Sequence, residues 1–303
     1  MELKRRHLLL GASALTLASL SSHAWATKAD DNLSFLVLGD WGDEAVEADQ
    51  TAVADAMAKV AEQQAVTFII STGDNFYEAG VSNIKDPKWT STFEAIYKAP
   101  ALQLPWYAVL GNHDHKGNVD AELEYGSVDP RWNMPSTYYT MSKSVGSKTA
   151  DFFFLDTEVL IQNGMITEWF GWAKADQLKW LEQKLAASTA DWKIVAGHHP
   201  LFSGGAHGDN KELIRILKPL FVRYGVNAYL CGHDHDLEAL SDNGVSYFVS
   251  GGGSKGRPVK HHAKSLFSRS EPGFLLMELS ANGSNATFYG RDAKPLYSEK
   301  LAS

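Results

Sequence analysis

The stretch VTFIISTGDNFY, residues 66–77, decides how the whole chain is interpreted. Its first half is a run of apolar and β-branched residues, which is typical of a buried β-strand. Its second half ends the strand near Gly73 and then places Asp74, Asn75 and Tyr77 within four positions. A chain reversal needs only the Gly73–Asp74 pair, so the tyrosine three residues after the aspartate requires another explanation.

The same arrangement of an apolar run followed by polar residues recurs along the chain. The predicted strands are SFLVLG (34–39), VTFIIS (66–71), WYAVLG (106–111), DFFFLD (151–156), WKIVAG (192–197), NAYLCG (227–232) and VSYFVSGG (245–252). Helical patterns lie between them over 48–64, 174–188 and 211–225, the last kinked at Pro219. This alternation predicts a single α/β catalytic domain over residues 27–303. The Gly-rich and basic stretch 250–273 is predicted to be a mobile connection.

The first 26 residues form a separate segment. A basic run, KRR (4–6), precedes an apolar stretch over 8–20 and the sequence AWA (24–26). This pattern predicts a signal peptide that is cleaved after residue 26, and an uncleaved membrane anchor is the alternative. The two arginines at 5–6 resemble a twin-arginine signal, so we expect the twin-arginine machinery to export the folded protein to the periplasm or the medium.

Composition narrows the class of protein further. The 303-residue chain is 44% hydrophobic and 21% charged, which is typical of a globular enzyme. Its formal net charge of −8 becomes −10 without residues 1–26, which carry three basic residues and one acidic residue. Nucleic acid is therefore not expected as a partner. Cys231 is the one cysteine, so no internal disulfide forms and the core or a metal must stabilise the fold.

Side chains that commonly bind metals follow five of the predicted strands. The motifs are GDWG with Asp40, GDNFY with Asp74 and Tyr77, GNHDH with Asn112 and His113, GHHP with His198, and GHDH with His233 and His235. Because ligands of α/β sheets bind at the carboxyl ends of the strands, we expect these five ends to meet. One such Asp or His alone is more often a turn or core residue, but the five motifs together predict a dinuclear metal site.

The donor types indicate which metals are bound. Carboxylate, amide and imidazole ligands suit hard or borderline ions, and the chain has no set of thiolates. A phenol has a pKa of about 10, so Tyr77 ionises only against a strongly Lewis-acidic ion. Iron(III) meets that requirement better than a divalent metal. Asp74 is expected to bridge the two ions, with Tyr77 binding the ferric one.

The motifs resemble those of the purple acid phosphatases, a branch of the calcineurin-like metallophosphoesterases. The resemblance runs from about Phe35 to Gly252 and is strongest to the small tartrate-resistant type found in mammals. It is carried by GDNFYEAGV (73–81), LPWYAVLGNHDHKGNV (104–119), RWNMPSTYY (131–139), FLDT (154–157) and AYLCGHDH (228–235). It implies a β-sandwich of two mixed sheets flanked by helices in αββα layers.

The resemblance also implies a role for each residue of the predicted site. The ligands of the iron(III) ion are expected to be Asp40, Asp74, Tyr77 and His235. The ligands of a second, divalent ion (Fe(II), Zn or Mn) are expected to be Asp74, Asn112, His198 and His233. The catalytic residues His113 and His207 are expected to orient the phosphate and protonate the leaving group.

The implied activity is that of an acid phosphatase, in which a metal-bound hydroxide at an Fe(III)–M(II) centre attacks phosphomonoesters at acidic pH. Small phosphorylated substrates and a monomeric enzyme are expected. A phosphodiesterase or nucleotide pyrophosphatase using the same dinuclear site is the main alternative. A redox reaction of an iron pair and a metal-bound scaffold without activity are further alternatives. Residues after 253 match the family poorly, so the substrate preference stays open.

Overall fold

The structure, a computed structural model, describes residues 32–162 and 168–301, with side chains from 173 onward in the second range. The predicted signal peptide, residues 1–26, lies outside the described residues. Among the helices of this part of the chain, none is both long enough and apolar enough to cross a membrane.

The described residues form two mixed sheets of seven strands each. The strands are β1 (Asn32–Leu38), β2 (Val66–Ser71), β3 (Trp106–Ala108), β4 (Trp132–Asn133), β5 (Tyr139–Val145), β6 (Lys148–Phe154), β7 (Trp192–Ala196), β8 (Ala228–Cys231), β9 (Leu237–Asp242), β10 (Val245–Ser250), β11 (Ser265–Arg269), β12 (Gly273–Ser280), β13 (Gly283–Gly290) and β14 (Pro295–Lys300). The first sheet has the order β14-β13-β12-β1-β2-β3-β4, and the second has the order β11-β9-β10-β8-β7-β6-β5.

Helices cover the outer faces of both sheets. They are α1 (Glu47–Gln64), α2 (Val119–Glu124), α3 (Thr157–Ile161), α4 (Glu168–Ala187), α5 (Lys211–Ile216) and α6 (Lys218–Tyr224). Helix α1 packs on the first sheet, and the apolar side chains of α3 to α6 form one cluster with the outer face of the second. The predicted αββα sandwich and the single α/β domain are thus confirmed.

Alternating side chains of strand β6 show how the core is divided. Phe152 faces the first sheet, where its ring centre lies 5.3 Å from that of Phe35 and 5.6 Å from that of Phe68. Phe153 points the other way and packs in the cluster that includes Leu181 and Leu185 of α4. Side chains alternate along a strand. In a run that is apolar on both faces, one set of side chains therefore packs between the two sheets and the other set packs against the helices.

Each sheet contains a block of parallel strands whose carboxyl ends lead to the predicted metal-binding motifs. Strands β1 to β4 are parallel neighbours in the first sheet. Strands β6, β7, β8 and β10 are parallel in the second. The backbone N–H of Gly39, after β1, donates to the carbonyl of Ser250 at the end of β10, which joins the two blocks at this edge.

The helix predicted over 211–225, with a kink at Pro219, is interrupted at Leu217 and forms α5 and α6. Pro219 lies in the first turn of α6 and has no N–H to donate, which accounts for the interruption. The prediction of a mobile connection over 250–273 was wrong. The stretch 250–273 contains strand β11, which pairs with β9, and its residues 251–254 are buried. Its glycines reflect close packing and not a mobile connection.

Candidate metal centre

Three of the predicted ligands adopt an unusual backbone conformation directly after their strands. Asp40, Asp74 and His233 have φ values of 59°, 50° and 69°, in the left-handed region that non-glycine residues rarely occupy. Each such residue costs on the order of 1 kcal/mol or more, so the surrounding structure must enforce it. Backbone strain of this kind concentrates at functional sites, and here it turns three side chains into one crevice.

Two glycines in the motifs leave space for the buried carboxylates. A Cβ atom built on Gly111 lies 2.2 Å from Asp74 Oδ1, and one on Gly232 lies 2.3 Å from Asp40 Oδ2. No side chain fits at either position without displacing a carboxylate. Gly111 and Gly232 are therefore required because a carboxylate from another loop packs against them, and not only because a strand ends there.

The first group of predicted ligands surrounds the hydroxyl of Tyr77. Its Oη atom lies 3.0 Å from Asp40 Oδ1, 3.1 Å from Asp74 Oδ2 and 3.3 Å from His235 Nε2. Asp40 Oδ1 and His235 Nε2 are 3.5 Å apart. Two ligands at about 2.1 Å from one ion and at right angles to each other are about 3 Å apart. The hydroxyl of Tyr77 therefore lies from each of the other three donors at about the spacing of neighbouring ligands of one ion.

The second group surrounds His198. Its Nε2 atom lies 3.2 Å from Asn112 Oδ1, 3.2 Å from His233 Nδ1 and 3.5 Å from Asp74 Oδ1. The other ring nitrogen, Nδ1, donates to the carbonyl of Thr72 at 2.9 Å, which leaves the Nε2 lone pair for a cation. The two oxygens of Asp74 thus face different groups, as a bridging ligand requires.

A neighbouring histidine offers a competing set of ligands. Nitrogen atoms of His198, His199 and His233 are close enough together to hold one ion. His199 Nδ1, however, lies 2.9 Å from Thr157 Oγ1, and that hydroxyl already accepts the backbone N–H groups of both His198 and His199. The hydroxyl proton must therefore point to Nδ1, while Nε2 lies 3.5 Å from Glu158. Both ring nitrogens of His199 therefore have partners outside the group around His198.

The buried carboxylates of this group favour protonation of their neighbours. Burial lowers the pKa of His198, but the carboxylates of Asp74 and Asp40 outweigh it and raise the pKa to about 10. Burial and the same two carboxylates raise the pKa of Tyr77 well above its usual value. Without a metal, protons on His198 and Tyr77 take the place of positive charge. The donor set therefore fits a pair of metal ions that displace these protons.

The two predicted catalytic histidines lie beside the candidate ligands. His113 Nδ1 donates to the carbonyl of Glu78 at 2.6 Å, and its Nε2 lies 4.0 Å from Asp74 Oδ2. His207 Nδ1 donates to the buried carboxylate of Asp234 at 2.8 Å. The His207 ring centre is 4.0 Å from that of His233. Both imidazoles are thus held through Nδ1, which leaves Nε2 free for a ligand.

Comparison with known proteins identifies the family to which this chain belongs. The family model of the calcineurin-like phosphoesterases matches residues 33–237, a range that contains every ligand-type residue described above. The chain belongs to this family. The phosphoesterase is 36% identical to tartrate-resistant acid phosphatase type 5 of Rattus norvegicus, over 97% of the chain and 96% of that protein. It is 37% identical to purple acid phosphatase 4 of Arabidopsis thaliana, over 82% of the chain and 76% of that protein.

A solved structure is similar over nearly the whole phosphoesterase. GAP50, described as the anchor in the inner membrane complex of Plasmodium, has a TM-score of 0.82 at 31% identity and covers 89% of both chains. The resemblance to purple acid phosphatases and the class of enzyme, a phosphoester hydrolase, are confirmed by these relatives. The family also implies a dinuclear metal centre, in agreement with the metal-binding groups described above.

Asp114 has a role that the sequence did not reveal. The residue follows His113 in the chain, a position that suggests a contact with this neighbouring histidine. Its buried carboxylate instead accepts the backbone N–H groups of Gly111, Asn75 and Phe76 at 2.8, 2.9 and 3.1 Å. It therefore holds the loop after β2 against the loop after β3, which fixes the positions of the ligands on both loops. Adjacency in sequence suggested only a local contact.

His115 links the two sheets of the phosphoesterase. Its Nε2 atom lies 3.0 Å from Asp156, a buried residue that follows β6 and caps α3. Burial lowers the pKa of His115, but the hydrogen-bonded carboxylate of Asp156 raises it by more, so the pKa lies above its usual value of 6.5. A histidine with a raised pKa in the folded state stabilises the protein below pH 6.5, and this contribution is lost as the pH rises through the folded pKa.

The variant His115→Gln is therefore expected to be destabilised mainly at acidic pH. We expect its free energy of unfolding to fall by about 1–2 kcal/mol at pH 5 and by less at pH 9, because only the protonated ring makes a charged hydrogen bond. Urea denaturation of both proteins at the two pH values measures this. His261→Gln, at an exposed position, is the control. An equal loss at both pH values contradicts the ion pair.

Proposed function

We propose that this phosphoesterase is an acid phosphatase that hydrolyses phosphomonoesters at a dinuclear centre of Fe(III) and a divalent ion. The observation that supports it most is the arrangement of seven donors in two groups that share Asp74. Carboxylate, phenol, amide and imidazole donors at contact distance, with protons in place of cations, form a site for two ions. The relatives are named acid phosphatases, and small phosphorylated molecules are the proposed substrates.

The proposed ligand sets follow from the two groups. The ligands of Fe(III) are Asp40, Asp74, Tyr77 and His235, and those of the divalent ion, Fe(II), Zn or Mn, are Asp74, Asn112, His198 and His233. Tyr77 supports iron(III), because burial and two carboxylates oppose ionisation of the phenol unless a strongly Lewis-acidic ion replaces its proton. When bound, the two ions neutralise charge on the phosphoryl group and lower the pKa of water, so that hydroxide is the nucleophile at acidic pH.

His113 and His207 are proposed to handle the phosphate and the departing oxygen. Their Nδ1–H groups are engaged by the Glu78 carbonyl and the Asp234 carboxylate, so the proton that each can transfer is on Nε2. Asp234, 1% exposed, accepts the Nδ1–H of His207 and holds the imidazole in place. A positioned imidazolium that donates to the departing oxygen acts as a general acid.

A pair of substrates tests the proposal. The metal-loaded protein is expected to turn over p-nitrophenyl phosphate with an acidic optimum and to act more slowly on bis-p-nitrophenyl phosphate. Faster hydrolysis of the diester favours the phosphodiesterase alternative. Because the name of GAP50 describes an anchor, a scaffold without activity is a second candidate. Inactivity towards both substrates in a protein that carries two metal ions per chain supports that candidate.

We also propose that the protein is exported by the twin-arginine machinery as a monomer and is then cleaved after residue 26. The basic and apolar pattern of residues 4–26 supports this proposal. Folded export suits a protein whose ligands must close around metal ions before it leaves the cytoplasm. Replacing Arg5 and Arg6 by lysine is expected to block export, and unchanged export contradicts the proposed route.

A further inference from the structure

A series of three buried polar side chains leads away from His207. His207 Nδ1 donates to Asp234 Oδ1 at 2.8 Å, and Asp234 Oδ2 lies 2.5 Å from Ser203 Oγ. Ser203 Oγ in turn lies 2.7 Å from Glu238 Oε1. The exposed fractions of Asp234, Ser203 and Glu238 are 1%, 3% and 0%, so solvent does not compete for these contacts. We refer to these three residues as the buried network.

The number of available hydrogen atoms fixes the direction of the hydrogen bonds in the buried network. Ser203 has one hydroxyl hydrogen but lies within hydrogen-bond distance of two carboxyl groups, so it donates to one of them. Its oxygen also accepts the backbone N–H of Gly205 at 2.8 Å. The shorter contact, to Asp234, is the donation, and the contact to Glu238 is a hydrogen bond only if Glu238 is protonated. Burial raises the pKa of Glu238, in agreement with this assignment.

The buried network also holds the loop that carries His207. This loop, between β7 and α5, contains neither helix nor strand. The backbone N–H of Gly204 donates to the carboxyl of Glu238 at 2.9 Å, and that of His207 donates to Asp234 Oδ1 at 2.9 Å. A Cβ atom built on Gly205 lies 2.4 Å from Asp234 Cγ, so glycine is needed for the loop to approach the network this closely. The ring and its loop are therefore held by the same carboxyl groups.

The orientation of the His207 ring depends on these contacts. The side chain is 45% exposed, and its ring centre lies 4.0 Å from that of His233, a proposed ligand. A half-exposed ring turns about its side-chain bonds unless a partner holds it, so the hydrogen bond from Nδ1 to Asp234 decides where Nε2 points. Asp234 is held in turn by Ser203. A displacement of about 1 Å in a catalytic group lowers the rate by up to about 100-fold.

We propose that Ser203 and Glu238 are positioning residues for His207. They hold the carboxyl group of Asp234 in one orientation, and Asp234 holds the imidazole so that Nε2 faces the departing oxygen. This inference rests on the proposed phosphatase function, in which an imidazolium donates its Nε2 proton to that oxygen. Because Ser203 and Glu238 act through Asp234, their replacement is expected to lower kcat more than it changes KM.

Kinetics of Ser203→Ala on two esters test the proposal. On glycerol 2-phosphate, whose leaving group needs a proton, we expect kcat to fall about 10- to 100-fold and KM to change by less than about threefold. On p-nitrophenyl phosphate, whose leaving group departs without a proton, we expect kcat to fall by less than about threefold. Ser246→Ala is the matched control, because Ser246 is also buried but lies near the start of β10. The control is expected to change neither activity.

Two variants of Glu238 keep the proposal testable if Ser203→Ala does not fold. The amide of Glu238→Gln donates to Ser203 Oγ as the protonated carboxyl does, so kcat on both esters is expected to stay within about threefold of the wild type. Glu238→Leu removes the donor and is expected to lower kcat about tenfold on glycerol 2-phosphate alone. Circular dichroism establishes that each variant is folded. Equal activities of these two variants overturn the inference.

The variant His207→Asn provides the sharpest background for the test, because positioning residues lose their effect once the residue that they position is gone. In that background we expect Ser203→Ala to change kcat on glycerol 2-phosphate by less than about twofold. A further loss as large as in the wild-type background, or an equal loss on both esters, indicates a structural role and overturns the inference. A wild-type protein that hydrolyses neither ester contradicts the proposed phosphatase function instead.

Discussion

The variant Asp74→Asn is expected to lose both the dinuclear centre and the activity. The two oxygens of Asp74 face different groups of donors, at 3.1 Å from Tyr77 Oη and 3.5 Å from His198 Nε2. An amide keeps one oxygen, adds N–H donors and removes the negative charge. Two bound ions supply several kcal/mol of transition-state stabilisation, so we expect kcat to fall about a thousandfold or more.

Elemental analysis together with kinetics tests this prediction. The variant is expected to bind fewer than two metal ions per chain, whereas the wild type binds two. Asp55→Asn is the matched control, because Asp55 is exposed on α1. Circular dichroism establishes that Asp74→Asn is folded. Two retained ions and activity within about tenfold of the wild type are inconsistent with a bridging carboxylate.

The second large effect concerns protonation of the leaving group. The double variant His113→Asn, His207→Asn is expected to lose about 10²–10⁴-fold in kcat on an alkyl ester such as glycerol 2-phosphate. An alkoxide is a poor leaving group and needs a proton from an imidazole. On p-nitrophenyl phosphate the loss is expected to be less than about tenfold, because nitrophenolate leaves without one.

The ratio between the two substrates is the decisive quantity in this experiment. A purely structural defect lowers activity on both esters by the same factor, and so does the loss of a group that only orients the phosphate. The single variants show which histidine, when replaced, changes the ratio of activities on the two esters more. His199→Asn is a useful comparison, since His199 is a buried histidine whose ring nitrogens lie beside Thr157 and Glu158. Equal losses on both esters by the double variant contradict general-acid catalysis.

The candidate site was predictable from the sequence because its signals are local. An apolar run followed by Gly and Asp, as at Gly73–Asp74, indicates both a strand end and a ligand, and five such ends in an α/β chain have one place to meet. The resemblance of the motifs to one family then gave the ligand sets and the sandwich. The strands that were predicted are the buried ones that are apolar on both faces, where composition alone is informative.

Other features depend on contacts between distant residues. The antiparallel strands β12 to β14 complete the first sheet, yet their pairing partners are fixed only by the tertiary fold. The Gly-rich stretch 250–273 was predicted from its composition to be mobile, although Ser254 Oγ donates to the carbonyl of Asp40 at 2.6 Å and anchors the stretch. The role of Asp114 was not predictable for the same reason, because it accepts a hydrogen bond from Asn75, which lies 39 positions away in the chain.

The visible absorption spectrum of the metal-loaded protein, measured beside that of Tyr77→Phe, tests the central claim most directly. Tyr77 is the one donor of the proposed centre that produces colour when it binds iron(III), through charge transfer from the phenolate. We expect a broad band in the green-to-yellow range that disappears in the variant while two metal ions remain bound. A wild-type protein that carries two ions and stays colourless after mild oxidation contradicts the proposed Fe(III)–M(II) centre.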